Sequence, residues 1–263
     1  MEISKIEKLT PYGDINQILV RLTVGVQKIV DEDLVGIYLT GSLTYGDFNP
    51  ASSDIDFLVV MSKDLSPEKF GEIKAMHLGI GYDYPEWEKR IEGSYITQSM
   101  LKEATPPQKP KTSRPYFNEG KFWEPNPPYG NEWTINLRAL YECGIALAGE
   151  DIKQVISPVS IEAVRQASRN DLYEEWIPKL KDDAFFKNSH YKAYLILTLC
   201  RILYGAVHEK IASKKVASTW AKRELGHPWS VLIQKAESWH HGAELDEAEQ
   251  TKAFVRFVAS RIK

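Results

Sequence analysis

Asp54 and Asp56 are separated by a single residue at the head of the apolar run Phe57-Leu58-Val59-Val60. On a strand, alternate side chains project from one face, so these two carboxylates share a space while Ile55 and Phe57 point the other way. Two carboxylates held together repel unless a cation joins them, and hard oxygen donors favour Mg²⁺, particularly when a substrate contributes phosphate oxygens. Upstream, Gly41-Ser42 closes another apolar run, where glycine permits close backbone approach and the N–H groups and hydroxyl that follow suit a phosphate. Taken singly, Gly41-Ser42 is also a plain turn, and Ser52-Ser53-Asp54 is also a solvated capping turn. The combination says more: a β-prone run, Gly-Ser, eleven residues from Leu43 to Ser53, then Asp-Ile-Asp leading directly into a second β-prone run.

The elements that must carry these groups follow from periodicity. Asp14 to Val30 places Ile15, Ile18, Leu19, Leu22, Val26, Ile29 and Val30 at helical spacing, and Leu34 to Leu39 reads as a short strand. Tyr45 to Ser53 is rich in turn formers, the next strand runs from Ile55 to Met61, and Ser66-Pro67-Glu68 caps a helix reaching Leu78. Arg90 to Ile96 is a weaker third strand. Thr105 to Gly130 is proline-rich, reads as a long loop or inter-domain crossing, and sets the expected boundary between a domain of residues 1–130 and one of residues 131–263. The second domain is expected to be an all-α bundle, with helices at Trp133 to Ala148, Ser160 to Leu180, His190 to Glu209, Ser213 to Leu225, Trp229 to His240 and Leu245 to Ile262. The fold class is therefore α/β (α+β) with a mixed sheet, followed by a helical bundle.

Composition narrows the partners. With 263 residues, 43% hydrophobic and 26% charged, the chain suits one large or two modest globular cores. A net charge of −3 supplies no general basic field, so a nucleic-acid partner is disfavoured and a small cationic acceptor is easier to accommodate. The longest apolar run, Ala193 to Val207, is interrupted by Arg201 and too short to span a bilayer, and the N-terminus lacks an apolar signal core. A cytoplasmic protein without a membrane partner is expected. Cys143 and Cys200 lie far apart among apolar neighbours and read as reduced core thiols.

The segment Gly41-Ser42-Leu43-Thr44-Tyr45-Gly46-Asp47 through Ser53-Asp54-Ile55-Asp56 resembles the Gly-Ser/Asp-x-Asp signature of the DNA polymerase β-type nucleotidyltransferase superfamily. Further on, Leu197-Thr198-Leu199-Cys200-Arg201-Ile202-Leu203-Tyr204, Lys210 to Ala217 and Trp220-Ala221 resemble the helical domain of the streptomycin/spectinomycin (3''/9) adenylyltransferases, a class of aminoglycoside nucleotidyltransferase. The resemblance implies a catalytic α/β domain and a helical domain that together bind ATP, Mg²⁺ (expected as two ions) and the drug in a cleft. It implies metal ligation by Asp54, Asp56 and a third carboxylate on a later strand. Glu92 fits that third position and would act as both ligand and general base. It further implies nucleotide contacts from Gly41, Ser42, Ser53, Glu132, Arg201 and Lys214, and acceptor contacts from Glu92, Trp123 and Tyr191.

The sequence also departs from the family. Streptomycin-modifying members carry an acidic residue shortly before the Leu-Thr-Leu-x-Arg helix, and this chain has Tyr191 there, which argues against streptomycin as the acceptor. The expected activity is Mg²⁺-dependent transfer of AMP from ATP to a hydroxyl of an aminoglycoside or aminocyclitol, with release of pyrophosphate. Glu92, Glu124, Asp182 and Asp183 could attract a polycation. Two alternatives stand beside it. A protein or tRNA acceptor would use the basic Lys109, Lys111, Arg114 and Lys121, and a catalytically silent nucleotide-binding module is disfavoured by the presence of all three carboxylates.

Overall fold

The computed structural model describes residues 1–103, 116–118, 120–123 and 130–262, and the chain divides into two compact units. The first comprises Met1–Phe48, Ser53–Tyr129 and Ala139–Pro158. Its centre is a mixed six-stranded sheet of β1 (Leu34–Thr40), β2 (Ile55–Met61), β3 (Ile91–Thr97), β4 (Tyr116–Asn118), β5 (Lys121–Trp123) and β6 (Ile145–Gly149), in the order β5-β4-β3-β2-β1-β6. β2 and β3 run parallel, joined through the helix Pro67–Asp83, and the other neighbours are antiparallel. A parallel pair needs such a crossover, because a tight turn can join only antiparallel strands.

One face of this sheet is apolar for a plain reason of register. Ile55, Phe57, Val59 and Met61 alternate along β2 and pack with Ile37 and Leu39 of β1 and Ile91 and Tyr95 of β3. They share their core with Ile15, Ile18, Leu19, Leu22 and Val26 of the helix Gly13–Val30 and with Ile73 and Ile80 of the crossover helix. Burying each such side chain contributes roughly 1.5–3 kcal/mol. The crossover helix starts where its sequence predicts: Ser66 accepts from the Lys69 N–H at 3.2 Å and Pro67 takes the first turn.

Within that core lies a polar pair that sequence periodicity does not reveal. His77, only 2% exposed, places Nε2 2.8 Å from the Tyr95 hydroxyl and stacks 4.0 Å from the Phe117 ring. Burial holds the imidazole down to about 3 and pushes the Tyr95 hydroxyl up. His77 therefore folds in as a neutral ring. The stability this contributes is fully present above the ordinary histidine value of about 6.5 and is lost as pH falls from there toward the folded value. We predict that His77→Phe flattens the acid limb of denaturant-midpoint against pH, the wild type losing up to about 1.4 kcal/mol more per pH unit below 6.5. Equal slopes for the two proteins would contradict this.

The segment read from sequence as one helix from Trp133 to Ala148 is corrected. The helix spans Glu132–Cys143, and Ile145–Gly149 forms β6, pairing antiparallel with β1. Tyr38 reinforces this edge by donating its hydroxyl to the Glu150 carbonyl at 3.0 Å, and the Glu150 N–H returns to Val35 O at 3.0 Å. The Ala-rich Ile-Ala-Leu-Ala sequence carries little strand propensity of its own, so the choice is made by tertiary pairing with β1.

The second unit comprises Asn49–Ser52, Gly130–Arg138 and Val159–Lys263. Helices Ile161–Asp171, Ser189–His208, Lys214–Leu225, Trp229–Glu237 and Ala248–Arg261 surround the core residues Leu195, Ile196, Leu199, Cys200, Leu232, Phe254 and Val255. Ser160, Asn188 and Ser213 each cap the helix that follows. Both cysteines are free thiols, and Cys200 is buried. Among the described residues no helix is long and apolar enough to cross a membrane.

Candidate functional site

Strand register gathers most of the chemistry-bearing residues of the first unit at one end of the sheet. Asp56 lies between Thr40 of β1 on one side and Glu92 of β3 on the other. Partners directly opposite on neighbouring strands project to the same face, so the Asp56 and Glu92 side chains are placed side by side. Both are half-buried, while their flanking residues Ile55, Phe57 and Ile91 are buried in the core on the opposite face. Farther along the acidic face, Tyr38, Leu58, Val60, Ser94 and Ile96 are buried as well, so the carboxylates occupy the end of a largely buried surface.

Gly41 follows Thr40 directly, and its backbone passes against Asp56. Its φ of 67° and ψ of −152° fall in a region accessible essentially to glycine alone. A methyl group built on Gly41 would overlap the Asp56 carboxylate. Ser42 then opens a short helical turn, Ser42–Tyr45, closed by Thr44, whose N–H and hydroxyl both donate to Gly41 O at 3.1 and 2.8 Å. The Asp47 N–H donates to Ser42 O at 3.2 Å. The Gly-Ser pair is thus a tightly defined corner beside the carboxylates.

Asp54 precedes β2 and meets Arg90, with Nε 3.8 Å from Oδ1. Arg90 also donates to the Ser53 carbonyl. Reading the sequence for carboxylates missed this residue. A signal was available, since Arg90-x-Glu92 repeats the spacing of Asp54-x-Asp56 on the neighbouring parallel strand.

The donor chemistry suits a hard divalent cation. Among the described residues, no group of three or more His, Cys, Asp or Glu side chains could hold a metal ion by itself. Mg²⁺ sites commonly use only one or two protein carboxylates and complete their shell with substrate phosphates and water, and the register pair Asp56 and Glu92 is a donor set of that size.

In the second unit, Arg201 lies in the helix Ser189–His208, and its Nε donates to the Ala212 carbonyl at 3.1 Å. This bond ties the helix to the loop before the next. Lys214 is exposed at the start of the helix Lys214–Leu225, with Nζ 4.6 Å from the Tyr194 ring centroid. Glu132 is exposed and accepts from the Gly130 N–H at 3.1 Å. Tyr191, 40% exposed, stacks on Phe185 with centroids 5.2 Å apart. The Trp123 backbone pairs with Tyr116 in the sheet, but its side chain, like Glu124 and the basic Lys109, Lys111 and Arg114, lies outside the described residues.

Comparison with known proteins matches both halves. The family described as nucleotidyltransferase domain matches residues 25–107, and the aminoglycoside adenylyltransferase C-terminal domain matches residues 154–263. The chain is a nucleotidyltransferase that resembles the aminoglycoside adenylyltransferases in both halves. It is 26% identical over 248 residues to a spectinomycin 9-adenylyltransferase of Campylobacter jejuni, covering 90% of this chain and 91% of the relative. An aminoglycoside (3'') (9) adenylyltransferase of Escherichia coli is 25% identical over 252 residues, covering 90% of each. The crystal structure of a spectinomycin adenyltransferase from Enterococcus faecialis with ATP and spectinomycin shares the fold, with a TM-score of 0.69 at 20% identity, covering 94% of this chain and 98% of that one. The nucleotidyltransferase match contains Gly41, Ser42, Ser53, Asp54, Asp56, Arg90 and Glu92, and the C-terminal match contains Tyr191, Arg201 and Lys214.

Proposed function

We propose that this nucleotidyltransferase transfers AMP from ATP to a hydroxyl of an aminocyclitol or aminoglycoside and releases pyrophosphate. The observation that carries the reading is the register of Asp56 with Glu92 beside the Gly41 corner, in a chain whose relatives are adenylyltransferases of such drugs over nine-tenths of its length. Asp54, Asp56 and Glu92 hold Mg²⁺, which when bound neutralises charge developing on the reacting oxygens. Gly41, Ser42 and Ser53 orient the triphosphate, with Arg201 and Lys214 supplying positive charge to its phosphates and Glu132 a further nucleotide contact. Glu92 accepts the proton of the attacking hydroxyl as it closes on the α-phosphorus in line with the departing pyrophosphate.

Tyr191 and Trp123 are proposed acceptor contacts. An aromatic wall of Tyr191 on Phe185 offers a flat surface to a sugar ring where streptomycin-modifying relatives would offer a carboxylate, which favours a compact aminocyclitol such as spectinomycin over streptomycin.

Replacing Glu92 by Gln keeps shape and removes the base. Turnover is expected to fall by roughly 10²–10⁴, with ATP binding by calorimetry changed only a few-fold. A Glu92→Gln enzyme turning over at the parental rate would remove this residue from the role of base.

A further inference from the structure

Arg90 enters the carboxylate end of the sheet one residue before Ile91, as Asp54 does one residue before Ile91's parallel partner, Ile55. Its guanidinium is fixed on three sides. It donates to Ser53 O, its Nε stands 3.8 Å from Asp54 Oδ1, and its Cζ lies 4.3 Å from the Trp87 ring centroid. Trp87 is buried and packs at 6.0 Å on Phe48, which packs at 5.3 Å on Tyr12, so the platform under the cation is itself anchored. The Arg90 side chain is 14% exposed, and its Nε is buried without a hydrogen-bond acceptor among the described residues.

A guanidinium held this way stays charged and cannot swing aside. At 3.8 Å its Nε makes a charge contact with Asp54 beyond hydrogen-bond reach, so it orients and partly neutralises the carboxylate. A fixed positive charge at that distance also repels a divalent cation arriving alone. A cation arriving with the negative charge of a triphosphate meets far less opposition.

We propose that Arg90 is a positioning residue with two linked effects: it fixes the Ser53-Asp54 corner, and its permanent charge weakens divalent-cation binding at Asp54 until nucleotide is present, so that metal and nucleotide load together. This rests on the metal-site reading above. The test is titration of the whole protein with Mn²⁺, read by the electron paramagnetic resonance of the free ion, without nucleotide and then with a non-hydrolysable ATP analogue. Arg90→Gln is expected to bind Mn²⁺ about five-fold more tightly than the parent without nucleotide, and to show a correspondingly smaller tightening when the analogue is added. Arg90→Lys keeps the charge but loses the planar fork, so its Mn²⁺ affinity stays within about two-fold of the parent while kcat falls about ten-fold or more at unchanged KM for the acceptor.

A folded Arg90→Gln with the parental Mn²⁺ affinity overturns the proposal. Should that variant fail to fold, a parental kcat in Arg90→Lys overturns it instead. Asp54→Asn distinguishes the metal site from the role of Arg90. If it leaves Mn²⁺ binding unchanged, the metal-site reading fails; if it weakens Mn²⁺ binding while Arg90→Gln changes nothing, only the role of Arg90 fails.

Discussion

An Asp56→Asn protein is expected to lose AMP transfer by about 10³ or more while folding at least as stably as the parent. The carboxylate lies in register beside Glu92 and against the Gly41 corner, so its charge is opposed by a like charge on the next strand. Asparagine keeps the shape and relieves that repulsion, so the thermal midpoint should hold or rise. Transfer is expected to collapse because, at the proposed Mg²⁺ site, loss of a ligand would remove several kcal/mol of transition-state charge stabilisation, and each 1.36 kcal/mol is about ten-fold in rate. Thermal denaturation and initial rates of pyrophosphate release, measured on one preparation, check both halves of the prediction. Parental turnover at saturating Mg²⁺ would remove Asp56 from the metal site.

Gly41→Ala is expected to be nearly as damaging by a different route. Its backbone conformation is essentially reserved for glycine, and occupying it with alanine costs of order 1–3 kcal/mol. The added methyl must also displace the Asp56 carboxylate or the turn that leads into Ser42. A displacement of about 1 Å at a reacting centre lowers turnover by about 10². The distinguishing feature is that circular dichroism remains native at 25 °C while kcat falls, because the remaining sheet pairings of β1 with β2 and β6 do not involve Gly41. If Gly41→Ala instead kept its kcat, the corner would be a simple turn without a catalytic duty.

These two residues illustrate how much was legible without coordinates. β2 begins at Ile55 and ends at Met61 as its composition predicts, because an apolar β-branched run between Asp54 and Ser62-Lys63 admits one register. Strand alternation placed Asp56 on the face opposite Ile55 and Phe57, whereas Asp54 lies just before β2 and its setting beside Arg90 comes from the fold. The proximity of Glu92 rested on family resemblance, since its strand alternates weakly and only the parallel pairing of β2 with β3 sets it beside Asp56.

What sequence periodicity could not supply was anything decided by distant pairing. Ile145–Gly149 continues the helical spacing of the preceding segment and becomes a strand because β1 offers an open edge. His77 falls on the apolar face of its helix, and only the fold reveals Tyr95 as its hydroxyl partner. Arg90 is one of many surface-like basic residues by composition. Its burial against Trp87 and contact with Asp54 come from the turn between the crossover helix and β3. The Arg201 Nε bond to the Ala212 carbonyl is likewise a pairing that sequence periodicity does not reveal.

AMP transfer to an aminocyclitol is tested by incubating the protein with ATP and Mg²⁺ and following pyrophosphate release against a panel of spectinomycin, streptomycin, bulk tRNA and no acceptor, with product masses read by mass spectrometry. Release is expected to depend on the aminocyclitol, with a spectinomycin product heavier by one AMP group, and both are expected to fall by roughly 10²–10⁴ with Glu92→Gln. Release that requires tRNA, or ATP binding without turnover on any aminocyclitol or aminoglycoside, would contradict it.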